Sequence, residues 1–237
     1  MKKIISPLLV ISLLISLGCG DNIQGNGNKT AESRQVGKFH SVRLTGPMNV
    51  QLIQGADNAL EIEAEENIIP YIETNVDEGK LTIKYKDGVH INNREDITVR
   101  VTLPQLQEAD ITGSGDITSE TKLTGRDEIE LAITGSGNMN LELDAPSVEA
   151  KITGSGDIFL SGQTRDIECT STGSGKIDAT ALKAENAVVK TLGSGEVHVF
   201  ASIKLDATVN GSGDITYKGG ASVNSKIHGS GTVKAMD

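Results

Sequence analysis

Apolar and polar residues alternate along most of the chain beyond residue 36, and one tripeptide interrupts the alternation at near-regular intervals. Gly-Ser-Gly occurs seven times, as Gly113-Ser114-Gly115, Gly135-Ser136-Gly137, Gly154-Ser155-Gly156, Gly173-Ser174-Gly175, Gly193-Ser194-Gly195, Gly211-Ser212-Gly213 and Gly229-Ser230-Gly231. Four residues before the first Gly stand Ala109, Leu131, Ala150, Cys169, Val189, Ala207 and Ser225. Two before it stand Ile111, Ile133, Ile152, Ser171, Thr191, Val209 and Ile227, and four after it Ile117, Met139, Ile158, Ile177, Val197, Ile215 and Val233. This is the period of a half-buried strand on either side of the tripeptide. Each copy therefore predicts strand, corner, strand.

The copies start 18 to 22 residues apart, the length of one turn of a β-solenoid. The expected fold is all-β: a β-solenoid of about seven Gly-Ser-Gly coils over residues 107–237, preceded by a less regular all-β part over 36–106. Glycine suits the corners because a Cβ there would obstruct the stacked coils, and because Gly accepts positive φ. The serines would stack roughly 4.8 Å apart, with hydroxyls free to bond one another or nearby backbone. The twenty-one corner residues are thus read as structural rather than as a binding strip.

Two glycine-based chemistries fail on context. A phosphate loop needs a helix N-terminus after the glycines, whereas Asp-Ile, Asn-Met, Lys-Ile or Glu-Val follows here and continues a strand. The column after the tripeptide reads Asp116, Asn138, Asp157, Lys176, Glu196, Asp214 and Thr232. Its lysine and threonine argue against a repeated oxygen cage for calcium. No cofactor and no metal site is expected: His40, His90, His198 and His228 lack ligand spacing.

Between residues 36 and 106 the alternation predicts strands at Val42–Leu44, Met48–Leu52, Leu60–Ala64, Leu81–Tyr85 and Ile97–Val101. A short helical turn fits within Glu65–Val76, and Asp77-Glu78-Gly79-Lys80 reads as a hairpin turn. This half is either a cap on the solenoid or a set of wider coils. At the other end no cap is evident. An uncovered sheet end invites pairing with another chain, so homo-oligomerisation through the C-terminal solenoid end, or cover by folded-back residues, is expected.

The first residues change the picture from fold to location. Lys2 and Lys3 precede an apolar run from Ile4 to Leu17, too short for a membrane span of about 20 residues. The ending Ser16-Leu17-Gly18-Cys19 resembles a bacterial lipoprotein signal, with residues 1–18 removed and Cys19 lipidated. Residues 19–35 are Gly/Asn-rich and read as a flexible, lipid-anchored tether with a reach of roughly 20 Å. Loss of Lys2 and Lys3 leaves 20 basic against 32 acidic residues, a net charge of −12. That disfavours nucleic acid and electrostatic adhesion to anionic membranes, so the membrane is expected as a partner only through the lipid. Cys169 falls in an inward column and reads as a small core residue.

Five segments carry a family resemblance: Val36-Gly37-Lys38-Phe39-His40-Ser41-Val42, Val50-Gln51-Leu52-Ile53-Gln54-Gly55, Gly79-Lys80-Leu81-Thr82-Ile83, Val101-Thr102-Leu103-Pro104-Gln105-Leu106 and the Gly-Ser-Gly-Asp-Ile repeats. In this order, over roughly residues 36–220, they resemble the auto-transporter adhesin, head GIN domain family, common among secreted and lipid-anchored proteins of the Bacteroidetes. The resemblance implies a right-handed β-helix-like fold and a cell-envelope location, and brings no catalytic residues with it. The expected role is a non-catalytic, adhesin-like binding module on the outer membrane for an unknown protein or glycan partner. The absence of Trp and the dispersal of the Phe and Tyr residues make a protein at least as plausible a partner as a sugar. A structural or regulatory envelope scaffold shares every feature. A polysaccharide-active enzyme would need paired carboxyl groups about 5–10 Å apart; Asp116, Asp157 and Asp214 share a column, but periodic placement favours a turn role.

Overall fold

The computed structural model describes residues 21–236; the segment read as an export signal and the candidate lipid site Cys19 lie outside them. The first half comprises β1 (Asp21–Gln24), β2 (Lys29–Arg34), β3 (Ser41–Thr45), β4 (Asn49–Gln54), β5 (Ala59–Glu65), β6 (Ile72–Asp77), β7 (Lys80–Tyr85), β8 (Val89–Asn92) and β9 (Thr98–Leu103). A single 3-10 turn, Ile69–Tyr71, joins β5 to β6. The repeats supply β10 (Glu108–Gly113), β11 (Asp116–Ser119), β12 (Leu123–Thr124), β13 (Glu128–Gly135), β14 (Asn138–Gly154), β15 (Asp157–Gly173), β16 (Lys176–Lys183), β17 (Asn186–Gly193), β18 (Glu196–Phe200), β19 (Lys204–Gly211), β20 (Asp214–Lys218), β21 (Ser222–Gly229) and β22 (Thr232–Ala235).

These strands form the expected β-solenoid. Its first wall stacks β10, β13, the second half of β14, the second half of β15, β17, β19 and β21, all parallel and in register on the tripeptide. The second wall stacks β11, β14, β15, β16, β18, β20 and β22. Strands β14 and β15 run through both walls, and their buried alternation changes phase at Pro146 and Arg165. Pro146, which has no N–H to give a ladder, is the one position in β14 between Asn138 and Gly154 left out of the pairing with β15. The inward columns read from the sequence are the core: Ala109, Leu131, Ala150, Cys169, Val189 and Ala207 are all buried, as are Ile117, Met139, Ile158, Ile177, Val197 and Ile215.

The N-terminal half is both cap and coil. Strands β3 and β4 stack directly beneath β10 and β11, so the chain makes a coil there whose corner is Gly46-Pro47-Met48. Beneath that coil lie β7 and β9, again parallel and in register, although they come later in sequence. Antiparallel strands close the stack below: β6 on β7, then β5 on β9 with β2 outermost. Ile68, Ile69 and Ile72 are buried across this end. The hairpin turn is present, with Glu78 at φ 47° and Gly79 at φ 78°.

In the described part of the segment read as a flexible tether, two strands form instead. Residues 21–24 pair with β8 and residues 29–34 with β5. Glu65 adds to this pairing: its buried carboxylate accepts backbone N–H bonds from Gly27 and, at 2.8 Å, from Arg94, just after β8. Burial alone would raise its pKa; the N–H donors of Arg94, Gly27 and Glu95 instead hold it below the usual carboxylate range. Gly25 lies so close to this carboxylate that a Cβ would sit 2.1 Å from Oε2.

Candidate binding surface

The Gly-Ser-Gly corners are a backbone device. The first glycines have φ between +119° and +140°. The carbonyls of Gly113, Gly135, Gly154, Gly193 and Gly211 each accept two N–H bonds from the next coil, and that of Gly173 accepts one from Ser194: Gly135 O, for example, takes Ser155 N at 2.9 Å and Gly156 N at 3.2 Å. The serine hydroxyls do not make the ladder anticipated from the sequence. All seven side chains are exposed, because the shared carbonyl already satisfies the corner and turns each Cβ outward.

The residue before the tripeptide adds a second rank that the inward pattern does not reveal. Thr112, Thr134, Thr153 and Thr172 are exposed and stacked in register. Leu192, Asn210 and His228 continue that column. Only alignment of the outward positions, rather than the inward ones, would have found it.

The acidic column after the tripeptide has a structural task. Asp116 Oδ1 accepts from Asn138 N at 3.0 Å, Asp157 Oδ1 from Lys176 N at 3.0 Å, and Asp214 Oδ1 from Thr232 N at 2.8 Å. Where the lower coil has Asn138 or Lys176 instead, the N–H above turns to a glycine carbonyl, at 3.3 Å for Asp157 N and 3.2 Å for Glu196 N. Each aspartate thus caps the strand of the next coil as it leaves the corner. The hydroxyl and backbone of Thr232 hold the Asp214 carboxyl below its usual range. The aspartates are spent on backbone and do not converge on a common point.

Other charged groups are also accounted for locally. Lys80 reaches Glu108 at 2.6 Å and Arg43 reaches Asp110 at 2.7 Å, tying β7, β3 and β10 together where the coil order departs from sequence order. Partial burial pushes the Glu108 carboxyl up, against the pull of Lys80 and with the help of Asp110. His40 Nδ1 lies 3.1 Å from Ser41 Oγ, while His198 lies on β18 against Thr216; the four histidines are dispersed. Among the described residues no three His, Cys, Asp or Glu side chains come together as a metal site. Complete burial pushes the Cys169 thiol up to about 12, so it stays a protonated core group at neutral pH.

An open concavity lies on the corner opposite the serine ridge, where the chain passes between walls. It has a volume of about 580 Å³ and climbs across several coils past Arg126, Asp144, Arg165, Lys183, Glu185 and Phe200. Arg165 pairs with Asp166 at 2.7 Å, and Lys183 lies over the Phe200 ring, 4.1 Å from its centroid. Arg126 and Lys183 have no carboxylate partner among the described residues. A cleft that keeps unneutralised cations on a strongly acidic molecule is suited to holding an anionic group of a larger ligand.

Comparison with known proteins supports this picture at the level of family and fold. The family model described as "Putative auto-transporter adhesin, head GIN domain" matches residues 38–221. A solved structure of a "putative adhesin" from Bacteroides fragilis is similar at 26% identity and a TM-score of 0.86, covering 90% of this chain and 100% of that one. A "putative adhesin" from Parabacteroides distasonis is 27% identical with a TM-score of 0.72, covering 91% and 100%. A "putative lipid binding protein" from the same species, 24% identical with a TM-score of 0.74 and covering 92% and 100%, shares the fold. No curated protein matches the chain significantly.

Proposed function

The chain belongs to the auto-transporter adhesin, head GIN domain family, and from that premise we propose that it is an exported cell-envelope lipoprotein acting as a non-catalytic binding module for a protein or glycan. Cys19 carries the lipid and holds the solenoid at the outer membrane. The observation that carries the reading is the elongated open cleft with its unpaired Arg126 and Lys183. A repetitive, exposed ladder with an open cleft suits contact with a polymer or a protein surface more than enclosure of a small substrate. The use of Asp116, Asp157 and Asp214 as strand caps further supports a role without catalysis.

The test pairs retention of envelope proteins and a glycan array, using the full chain and its Arg126→Glu/Lys183→Glu variant. Selective retention of a partner by the parent and its loss in the variant is the expected result. Equal retention by both would remove the cleft from the reading, and no partner on either platform would favour an envelope scaffold. Cys19→Ser should move the chain from the membrane fraction to the soluble exported fraction; unchanged membrane association would count against lipidation.

A further inference from the structure

The two ends of the solenoid are finished differently. The lower end is closed by antiparallel strands and a buried isoleucine cluster. At the upper end every residue of β21 is exposed. Val223 and Ile227 occupy the positions directly above buried Leu205 and Val209, yet Ile227 is 44% exposed, and Met236 beside β22 is 39% exposed. These are core positions with no coil above them among the described residues. The strand edge is open as well. Ser222 N and Ser230 N donate downward to Ile203 and Gly211, so by the alternation of a strand the N–H and C=O groups of Val223, Ser225 and Ile227 point away from the molecule.

We infer that this end is closed by the same end of a second copy, with β21 pairing antiparallel to its counterpart about a two-fold axis at Ser225. The sequence of β21 fits its own reverse. Centring on Ser225 places Val223 opposite Ile227 of the second copy and Ser225 opposite Ser225, which matches each outward N–H with an outward C=O. On the outer face Asn224 then meets Lys226 of the second copy, so no like charges are directly opposed. Lys226 does not guard the edge, because its side chain lies on the face of the sheet rather than over the free groups. Residues 215–236 contain Lys218, Lys226 and Lys234 and no Asp or Glu, so β21 and β22 themselves add no acidic charge that would hold copies of this chain apart. The lower end offers no alternative seat: its outermost strands present Lys29, Glu32 and Arg34 on β2 and Glu73 and Asp77 on β6, with no apolar row to receive Val223 and Ile227.

The experiment is disulfide trapping in cells that make the full chain. Across a hydrogen-bonded antiparallel pair the Cα atoms lie about 5.5 Å apart, within the span of a disulfide. Ser225→Cys should therefore give a covalent dimer on a non-reducing gel. Ser222→Cys, on the same strand and equally exposed but about 20 Å from its counterpart in this register, should not. Adding Ile227→Lys to Ser225→Cys should reduce the dimer at least tenfold; Ile227 is exposed in the single copy, so the fold survives the change. Sedimentation of the purified parent chain should give twice the mass of one chain, and of Ile227→Lys that of a single chain. A monomeric parent without a Ser225→Cys dimer overturns the inference. So do open-ended filaments, the mark of head-to-tail pairing, and so does equal trapping at residues 222 and 225.

Discussion

Replacing Gly156 by Ala separates the two reasons a solenoid corner needs glycine. Gly156 is the second glycine of its corner and is not among the positive-φ residues, so Ala adds no dihedral strain there. Its Cβ, however, would lie 2.2 Å from Gly137 O and 2.9 Å from Ile133 Cγ2 of the coil beneath. An ordinary carbon–oxygen approach is about 3.3 Å, so adjacent coils must part by roughly 1 Å. That lengthens the bonds of Ser155 N, Gly156 N and Asp157 N to the lower coil, now 2.9, 3.2 and 3.3 Å. Each is worth about 1 kcal/mol, and overpacking adds about 1–3 kcal/mol, so Gly156→Ala should cost about 4–6 kcal/mol. Gly88 is the control: it has φ +76° and nothing within 4 Å of where a Cβ would stand, so Ala there bears only the left-handed backbone penalty of about 1 kcal/mol. Gly154→Ala, with φ +133° and a Cβ 2.2 Å from Gly135 O, should be worst of the three. For a chain of this size 1 kcal/mol is about 2–4 °C in Tm, and circular-dichroism melts should place Gly156→Ala about 10 °C below the parent and Gly88→Ala about 3 °C below. Melts of Gly156→Ala and Gly88→Ala that coincide would falsify the claim that backbone approach between coils, rather than φ, dictates the corner.

Thr191 is fully buried and its hydroxyl has no hydrogen-bond partner. Thr191→Val should therefore stabilise the chain by about 1 kcal/mol, read as a higher urea midpoint; a lower midpoint would mean the hydroxyl is satisfied. Asp214→Ala removes the acceptor of Thr232 N and its hydroxyl, so amide exchange over Thr232–Ala235 should quicken while the lower coils keep their protection. Glu65 and Asp214 both have lowered pKa values. Their stabilisation is thus complete above the unfolded carboxylate values, near 4, and is lost as pH falls through the lower folded values. Proteolysis within residues 21–34 should accordingly begin below about pH 4, and Glu65→Gln should bring it on at neutral pH; resistance in that variant would show that the Glu65 carboxylate does not hold the segment.

The solenoid is legible in the sequence because its determinants recur within one coil. Inward columns such as Ala109 to Ala207 are set by a two-residue period, and the corner glycines by contact with the coil just below. Both repeat often enough to be read without a partner strand in view. The aspartates can be excluded as a cation cage from their column alone, but their task cannot be named there, since it depends on which N–H of the next coil each one faces. The order of the coils is beyond the sequence too. Strands β7 and β9 lie beneath β3 and β4 through parallel pairing between distant segments, and such pairing leaves no local signature. Residues 21–34 defeat a local reading for the same reason: polar, glycine-rich composition predicts a tether, whereas pairing with the distant β8 and β5, helped by the Glu65 carboxylate at Gly27, orders it. Local period decided the coil, whereas the capped lower end, the cleft around Arg126 and Lys183 and the bare edge of β21 were decided by what each surface meets in three dimensions.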